Sequence, residues 1–424
     1  MKKIALLSLI ASSMLMAGGY KIPETSLNAV ALSAANIAHT KSADAAYYNP
    51  ANMVFMEDAN HFEADLTYIG LEAIKYKGST ISPKSSTVTA GHNLSSEKEK
   101  FFIPTIHYVS GKAGETRIGL SIVAPAGLSK RWKSEPARTK AEEFTLQIVE
   151  INPTVAIPIN DKVAFAFGFR AVHTSGIVKS NGTSEVNAFP LYSTVMRDLT
   201  GDSIDFGYNL ALSYKPTSDL EMALTYRSQV NLTVEGDATL SSTTTTPLPA
   251  VTAGAYDGSA SVTIPLPATA SVAMAYTLPS KTTFELVYER AMWSAYESLD
   301  FDYDGTITNP ILISAFDNAK PKEWKDVNAF RLGITQELES MTLMAGAVYD
   351  ESPVPEKTLG FELPDSNSIS VSLGGRYQIN DKMEVGLSAL YSMRESRTIK
   401  SDSLDGEFSG GNVLIVSTGI SYKF

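Results

Sequence analysis

The 424-residue chain contains no cysteine. That excludes a disulfide framework, thiolate metal sites and a lipid-modified N-terminal cysteine. No stretch after the first residues reaches 18 consecutive apolar side chains, so helical membrane spans are excluded. Positive charge is scarce: 35 Lys and Arg stand against 46 Asp and Glu, and the net charge of −11 argues against nucleic acid as a partner. Histidine is scarcer. The five (His39, His61, His92, His107, His173) lack metal-ligand spacing and no G-x-S-x-G elbow is present, so no metal or cofactor is expected and catalysis has little support. His173 and Ser175 share one face of a strand candidate, where a hydrolase in a barrel could be imagined, but no neighbouring motif completes a triad.

What is present begins with an export signal. Lys2 and Lys3 precede an apolar stretch, and Ala17-Gly18-Gly19 offers a small-residue exit, so residues 1–17 read as a signal peptide too short to span a bilayer. Loss of Lys2 and Lys3 takes the net charge to about −13. The chain reads as exported and acidic.

Strand alternation then runs nearly to the end. Leu414, Val416, Thr418, Ile420, Tyr422 and Phe424 point one way, because successive strand side chains face opposite sides of a sheet. A last strand ending in Tyr422 and Phe424 is what bacterial outer-membrane barrels present to their assembly machinery. Fourteen strand candidates begin near Asn60, Phe101, Thr116, Phe144, Val163, Ser203, Leu220, Ser261, Thr282, Trp324, Met341, Asn367, Met383 and Asn412. In the seventh, Leu220, Met222, Leu224, Tyr226, Val230, Leu232 and Val234 are expected on one face. Six short turns rich in Asn, Asp, Pro, Gly and Ser alternate with seven long polar loops, near residues 78–98, 127–142, 180–202, 236–258, 304–321, 352–365 and 400–410. That alternation requires an even strand number and matches an outer-membrane barrel with its turns in the periplasm. A soluble β-sandwich would give the same alternation strand by strand. The strict alternation of loop lengths favours the membrane. So do Tyr214, Tyr226, Tyr349, Tyr377, Tyr391 and Tyr422, which recur on the apolar face as interfacial girdles do. The expectation is an all-β membrane protein, an antiparallel barrel of about 14 strands over residues 58–424.

Fourteen strands enclose a lumen too wide for their own side chains to fill. Residues 18–57 are the candidate plug, or hatch: Ala- and Ser-rich, without strand alternation, and closing on Tyr47-Tyr48-Asn49-Pro50-Ala51. Pro50 biases Asn49 away from helix, and the Asn49 amide can satisfy stray backbone groups there. The competing expectation is an open general porin or a structural barrel. Porins begin with a strand almost at once, which this chain does not.

At these residues the chain resembles the FadL/TodX family of outer-membrane transporters for long-chain fatty acids and other hydrophobic compounds. The resemblance runs through Gly19-Tyr20, Asn49-Pro50-Ala51, Ala223-Leu224-Thr225-Tyr226-Arg227-Ser228, Leu266-Pro267 and Trp324-Lys325-Asp326. It continues in Tyr349-Asp350-Glu351-Ser352-Pro353-Val354-Pro355 and Leu363-Pro364-Asp365. It implies passive uptake: capture among extracellular loops, a pocket beside the hatch, and sideways exit at a kinked third strand, here Ala124-Pro125-Ala126-Gly127. Pro125 and Gly127 suit such a lateral gap, since Pro lacks an N–H and both interrupt a ladder; Pro125 could instead simply end the strand. Tyr20, Ile22, Met53, Val54 and Phe55 are expected along the path, with Asn49, Pro50 and Ala51 completing the hatch site. Lys320 and Lys322 fall where fatty-acid members place a basic residue. Arg170 lies near another such position, which Ser175 occupies here. Long-chain fatty acid is the leading cargo, a neutral hydrocarbon or aromatic the next.

Inner-face charges (Glu221, Arg227, Glu235, Arg331, Arg376, Glu384, Arg394) are expected to compensate one another rather than guide an ion. The run Lys130-Arg131-Trp132-Lys133 could meet anionic lipopolysaccharide or form a solvated loop face. The expected partners are the hydrophobic cargo, outer-membrane lipid and lipopolysaccharide, and the barrel-assembly machinery, with the chain a monomer in the bacterial outer membrane.

Overall fold

Alternating side chains build a closed wall in the computed structural model, which describes residues 18–82, 85–185, 192–244 and 254–424. The expected signal segment lies outside the described residues. Fourteen antiparallel strands form the barrel. The first six are β1 (His61–Leu71), β2 (Glu99–Val109), β3 (Arg117–Val123 and Gly127–Arg131), β4 (Glu143–Asn160), β5 (Val163–Glu185) and β6 (Tyr192–Tyr214). Two interrupted strands follow, β7 (Leu220–Arg227 and Val230–Thr244) and β8 (Gly254–Leu266 and Ala268–Thr277). The last six are β9 (Thr282–Met292), β10 (Val327–Glu337), β11 (Met341–Asp350), β12 (Ser368–Asn380), β13 (Met383–Arg394) and β14 (Val413–Lys423). β14 returns to β1 in a register from His61↔Lys423 to Leu71↔Val413, so the sheet closes on itself. Closure satisfies backbone groups that hydrocarbon cannot.

The polarity of the wall is inverted relative to a soluble sandwich. On β12, Ile369, Val371 and Leu373 are exposed while Ser368, Ser370 and Ser372 are buried. Leu373 and Leu387 reach 69 % and 62 % exposure, whereas Glu63 and Arg376 are buried in the lumen. Tyr214, Tyr349, Tyr377, Tyr391 and Tyr422 stand on the outer face, and Tyr226 is half-buried. No helix of the described residues is long and apolar enough to cross a membrane.

Strand starts fall close to expectation except in β6 and β8, which begin well before Ser203 and Ser261. The loops expected at 180–202 and 236–258 are largely strand, and the one expected from residue 127 opens with the second segment of β3. β5 and β6 run 23 residues each, about 75 Å at 3.3 Å per residue, where about 10 cross a bilayer. Their outer halves stand in water, with polar Asp198 and Asp202 outward, and so read as loop. β7 also departs. Its break at Ser228-Gln229 shifts the register against β6 by one residue: Arg227 pairs with Asn209, but Glu235 with Asp202. One extra residue exchanges the two faces. Met222 and Leu224 therefore face outward, while Val230, Leu232 and Val234 are buried and Glu235 is exposed.

Residues 18–57 fold within the wall as two short helices, α1 (Leu27–Ala31) and α2 (Ala45–Tyr48), and a 3-10 turn, Pro50–Phe55. Ser26 caps α1, accepting from Ala29 N at 3.1 Å. Strands on several sides of the barrel hold the segment, among them β1, β9, β10 and β12. Asp65 on β1 accepts from Leu27 N at 2.9 Å, and Glu285 on β9 from Ile37 N and Ala38 N at 2.7 and 2.6 Å. Arg331 on β10 donates to Ser33 O at 3.0 Å, and Ser372 on β12 to Ala31 O at 2.8 Å. Outside, the loops after β1 and β13 join in a four-stranded sheet of Arg397–Lys400, Leu404–Gly410, Ile74–Ile81 and Val88–Ser95.

Candidate functional site: a wall window and two pockets

Pro125 lies between the two segments of β3 rather than at the strand's end. It has no N–H to offer, and the ladder fails beside it. β2 pairs with β3 only from Ile106↔Ile122 to Val109↔Gly119. Farther out, Glu97 N donates to Arg131 O at 2.9 Å and Arg131 Nη1 pairs with Glu99 at 2.7 Å. Between these closures residues 101–105 of β2 have no ladder partner on β3 among the described residues, a window about 16 Å long at 3.3 Å per residue. Pro104 sits within it, on a strand that could not tolerate it at the centre of a continuous sheet. That signal was legible in the sequence and passed unused.

The kinked strand bonds instead to the N-terminal segment. Ile22 N donates to Pro125 O and Gly127 N to Tyr20 O, both at 2.8 Å, and Lys21 bridges Ala126. Behind the window the inner face is apolar, with Ile69, Phe101, Ile103, Ile22, Val30 and Ala124 in one buried cluster. From Pro125 and Ile22 a cavity continues past Tyr47, Tyr48, Leu266 and Pro267. Its charges are mutually satisfied: Lys21 pairs with Glu289 at 2.6 Å, and Arg170 with Glu150 at 2.9 Å. Arg227 pairs with the same Glu150 and lies 4.1 Å over the Tyr47 ring.

The second pocket lies among the extracellular loops, between Phe144, Leu299, Leu359, Phe361 and Leu404. Lys140, Arg197, Lys320, Lys322 and Lys357 line it against one carboxylate, Glu362. Lys322 Nζ reaches Glu362 at 2.6 Å. Burial pushes Glu362 up, but Lys322 and Lys320 outweigh it and hold the carboxyl at about 2. Burial, aided by Arg197 and Lys140, pushes Lys320 down to about 7 against the pull of Glu362.

A model of the outer membrane protein transport protein family (OMPP1/FadL/TodX) matches residues 8–424. The chain belongs to this family. FadL/TodX proteins are transport channels of the outer membrane, not enzymes. Among relatives, the long-chain fatty acid transport protein of Salmonella typhi is 23 % identical over 396 residues, covering 89 % of this chain and 87 % of the relative. That of Escherichia coli K12 is 22 % identical over 409 residues, with the same coverage. In fold, a FadL homologue from Pseudomonas aeruginosa superposes with a TM-score of 0.82 at 18 % identity, covering 96 % of this chain and all of that one. The P. putida toluene transporter TodX gives 0.73 at 17 %, covering 94 % and 98 %.

Within this FadL/TodX barrel the expected site residues separate into five places. Tyr20, Ile22, Pro125 and Gly127 meet at the β3 interruption. Asn49 ties the segment to the wall, donating to Ile37 O at 2.7 Å and Ser213 Oγ at 2.9 Å. Pro50, Ala51, Met53, Val54 and Phe55 lie in the 3-10 turn. Ala51 and Met53 pack on Ala156, Ala164 and Ala211 near the short turns, away from the cavity. Lys320 and Lys322 line the loop pocket, and Arg170 the inner cavity. Tyr422 and Phe424 stack on the outer face with ring centroids 5.7 Å apart.

Other expectations are revised. In the run 130–133, Lys130 and Trp132 are buried and Trp132 Nε1 donates to Phe361 O at 2.8 Å, so only Arg131 and Lys133 reach the surface. His173 and Ser175 share the outward parity of Phe167 and Phe169, not the lumen. The inner charges largely compensate, as in Arg376–Glu63 at 2.6 Å and Arg394–Asp365 at 2.7 Å. Among the described residues no group of three or more acidic or histidine side chains could hold a metal.

Proposed function

We propose that this FadL/TodX-family protein carries hydrophobic molecules, long-chain fatty acids first among them, passively across the outer membrane. Cargo is captured in the loop pocket, passes to the cavity beside residues 18–57, and leaves sideways between β2 and β3. The observation that carries the reading is the window at residues 101–105, backed by a buried apolar patch where a barrel interior is otherwise polar. An apolar chain gains about 25 cal/mol per Å² by staying on such a surface and moving directly into lipid. The axial route offers no such gain, because hydrogen bonds from strands on several sides hold the N-terminal segment across the lumen. The relatives named for long-chain fatty acid and for toluene fit one apolar route, and the cations of the loop pocket favour an acid over a hydrocarbon.

The test is a disulfide across the window, from Ile103→Cys on β2 to Ala124→Cys on β3. Oxidised protein should assemble normally and take up oleate and toluene at a small fraction of the reduced rate. Equal uptake by oxidised and reduced protein would eliminate the lateral route.

A further inference from the structure

Among the described residues Arg197 forms no salt bridge, and only the Tyr303 hydroxyl and the more distant Glu362 carboxylate favour its charge. Arg197 lies on the outer extension of β6, only 4 % exposed, with its guanidinium 4.9 and 5.1 Å from the ring centroids of Phe301 and Phe316. Nη2 donates to Ser180 Oγ at 3.2 Å. Among the described residues Nε and Nη1 have no hydrogen-bond partner. Arginine does not escape burial by losing its proton, and a buried charge without a partner is costly. The aromatic rings repay part of that cost. The remainder calls for an anion that arrives from outside.

A second cation faces the same space. Lys320 lines the pocket with Arg197 and, among the described residues, pairs with no carboxylate. Lys322 is answered by Glu362 and Lys357 by Glu323. In a chain of net charge −11, this pocket is locally and strongly positive. Its two sides differ in chemistry. Leu299, Pro321, Leu359, Phe361 and Leu404 offer an apolar wall. An adjoining cleft that shares Arg197 and Lys320 is lined mainly by hydroxyls, among them Thr80, Thr139, Ser180 and Thr183, with one carboxylate, Glu185, which accepts from Ser85 Oγ at 3.0 Å.

The geometry points to a headgroup site for an anion with two negative charges on a single apolar chain, a phosphate monoester being the matching chemistry. A carboxylate answers one of the two cations and leaves the other buried. A phosphate monoester brings about −1.5 to −2 charges and three acceptor oxygens at pH 7, and arginine presents a planar fork that suits them. The tail lies on the apolar wall while the head faces the hydroxyl-lined cleft. This inference rests on the reading of the protein as a carrier of hydrophobic molecules, and names the head that the loop pocket prefers.

Dodecyl phosphate, dodecanoate and dodecanol, each titrated at pH 7 against the full mature chain in lipid nanodiscs, test it. Dodecyl phosphate should bind about tenfold more tightly than dodecanoate, the margin of one additional charge-assisted contact. Arg197→Gln and the less buried Lys320→Gln should each bring the two anions to within about threefold, with dodecanol unchanged as the control for folding. A wild-type protein that does not prefer the phosphate, or a preference that survives in either variant, overturns the inference. If none of the three ligands binds, the hydrophobic-carrier reading fails with it; if dodecanoate and dodecanol bind without phosphate preference, that reading stands alone.

Discussion

Lys320 shows how a loop pocket sets the charge of a single side chain. Arg197, Lys140 and Lys322 raise the cost of its proton, Glu362 lowers it, and burial leaves the group titrating near pH 7. An anionic head favours the protonated form. Affinity for a ligand whose own charge is fixed should therefore be full below pH 7 and fall above it, by about tenfold per pH unit at most. Dodecanesulfonate binding measured from pH 6 to pH 9 should show this fall, and Lys320→Gln should flatten it. A pH-independent wild type would mean the lysine does not face the ligand. Arg197 was hidden for a different reason: it lies in a polar stretch that reads as loop, and Phe301 and Phe316 are brought to it only by the fold.

At the scale of elements, the Ala-rich segment and the wall are matched by small residues on both sides. A Cβ at Gly346 of β11 would lie 2.2 Å from the Leu32 carbonyl carbon, and one at Gly374 of β12 would lie 2.6 Å from the Ala31 Cβ. β11 approaches the backbone just past α1, and β12 the Ala31 side chain, too closely for a Cβ on either glycine. Gly346→Val should push the segment off its seat, costing about 1–3 kcal/mol as overpacking does. Urea unfolding should show that loss, and planar-bilayer recordings should show raised conductance. Unchanged stability and conductance would show that the close approach is relieved without moving the segment. Inner-face glycines in strands were visible in the sequence, but which of them met the helix depended on where α1 landed.

For the whole molecule, the main question is what closes the lumen. Residues 18–57 are held from β1, β9, β10 and β12, and Asn49 adds β6. Such distributed anchoring suits a fixed plug with a side exit better than a plug that swings away. Deleting residues 18–52 should leave a folded barrel, because the β1–β14 closure begins beyond them at His61. Single-channel recordings should then change from nearly closed to conducting. A deletion variant that stays closed would shift the barrier to the extracellular loops.

Periodicity and punctuation by themselves determined the number of strands, the alternation of short turns with long loops and the outward apolar face, and marked Pro125 as a place where a ladder either breaks or ends. All are local: a strand's two faces are written in successive residues, and a missing N–H is a property of one side chain. Tertiary structure decided the rest. The exchange of faces in β7 follows from a one-residue shift against β6, and no residue of β7 alone records its partner's register. The extent of β5 and β6 beyond the membrane was masked because strands in water lose the apolar outer face by which the others were read. The window requires β2 and β3 to pair at one end only, and the charge of the loop pocket requires β6 and the loops after β3, β9 and β11 to converge. These are distances between segments far apart in the chain, which only closing the barrel brings together.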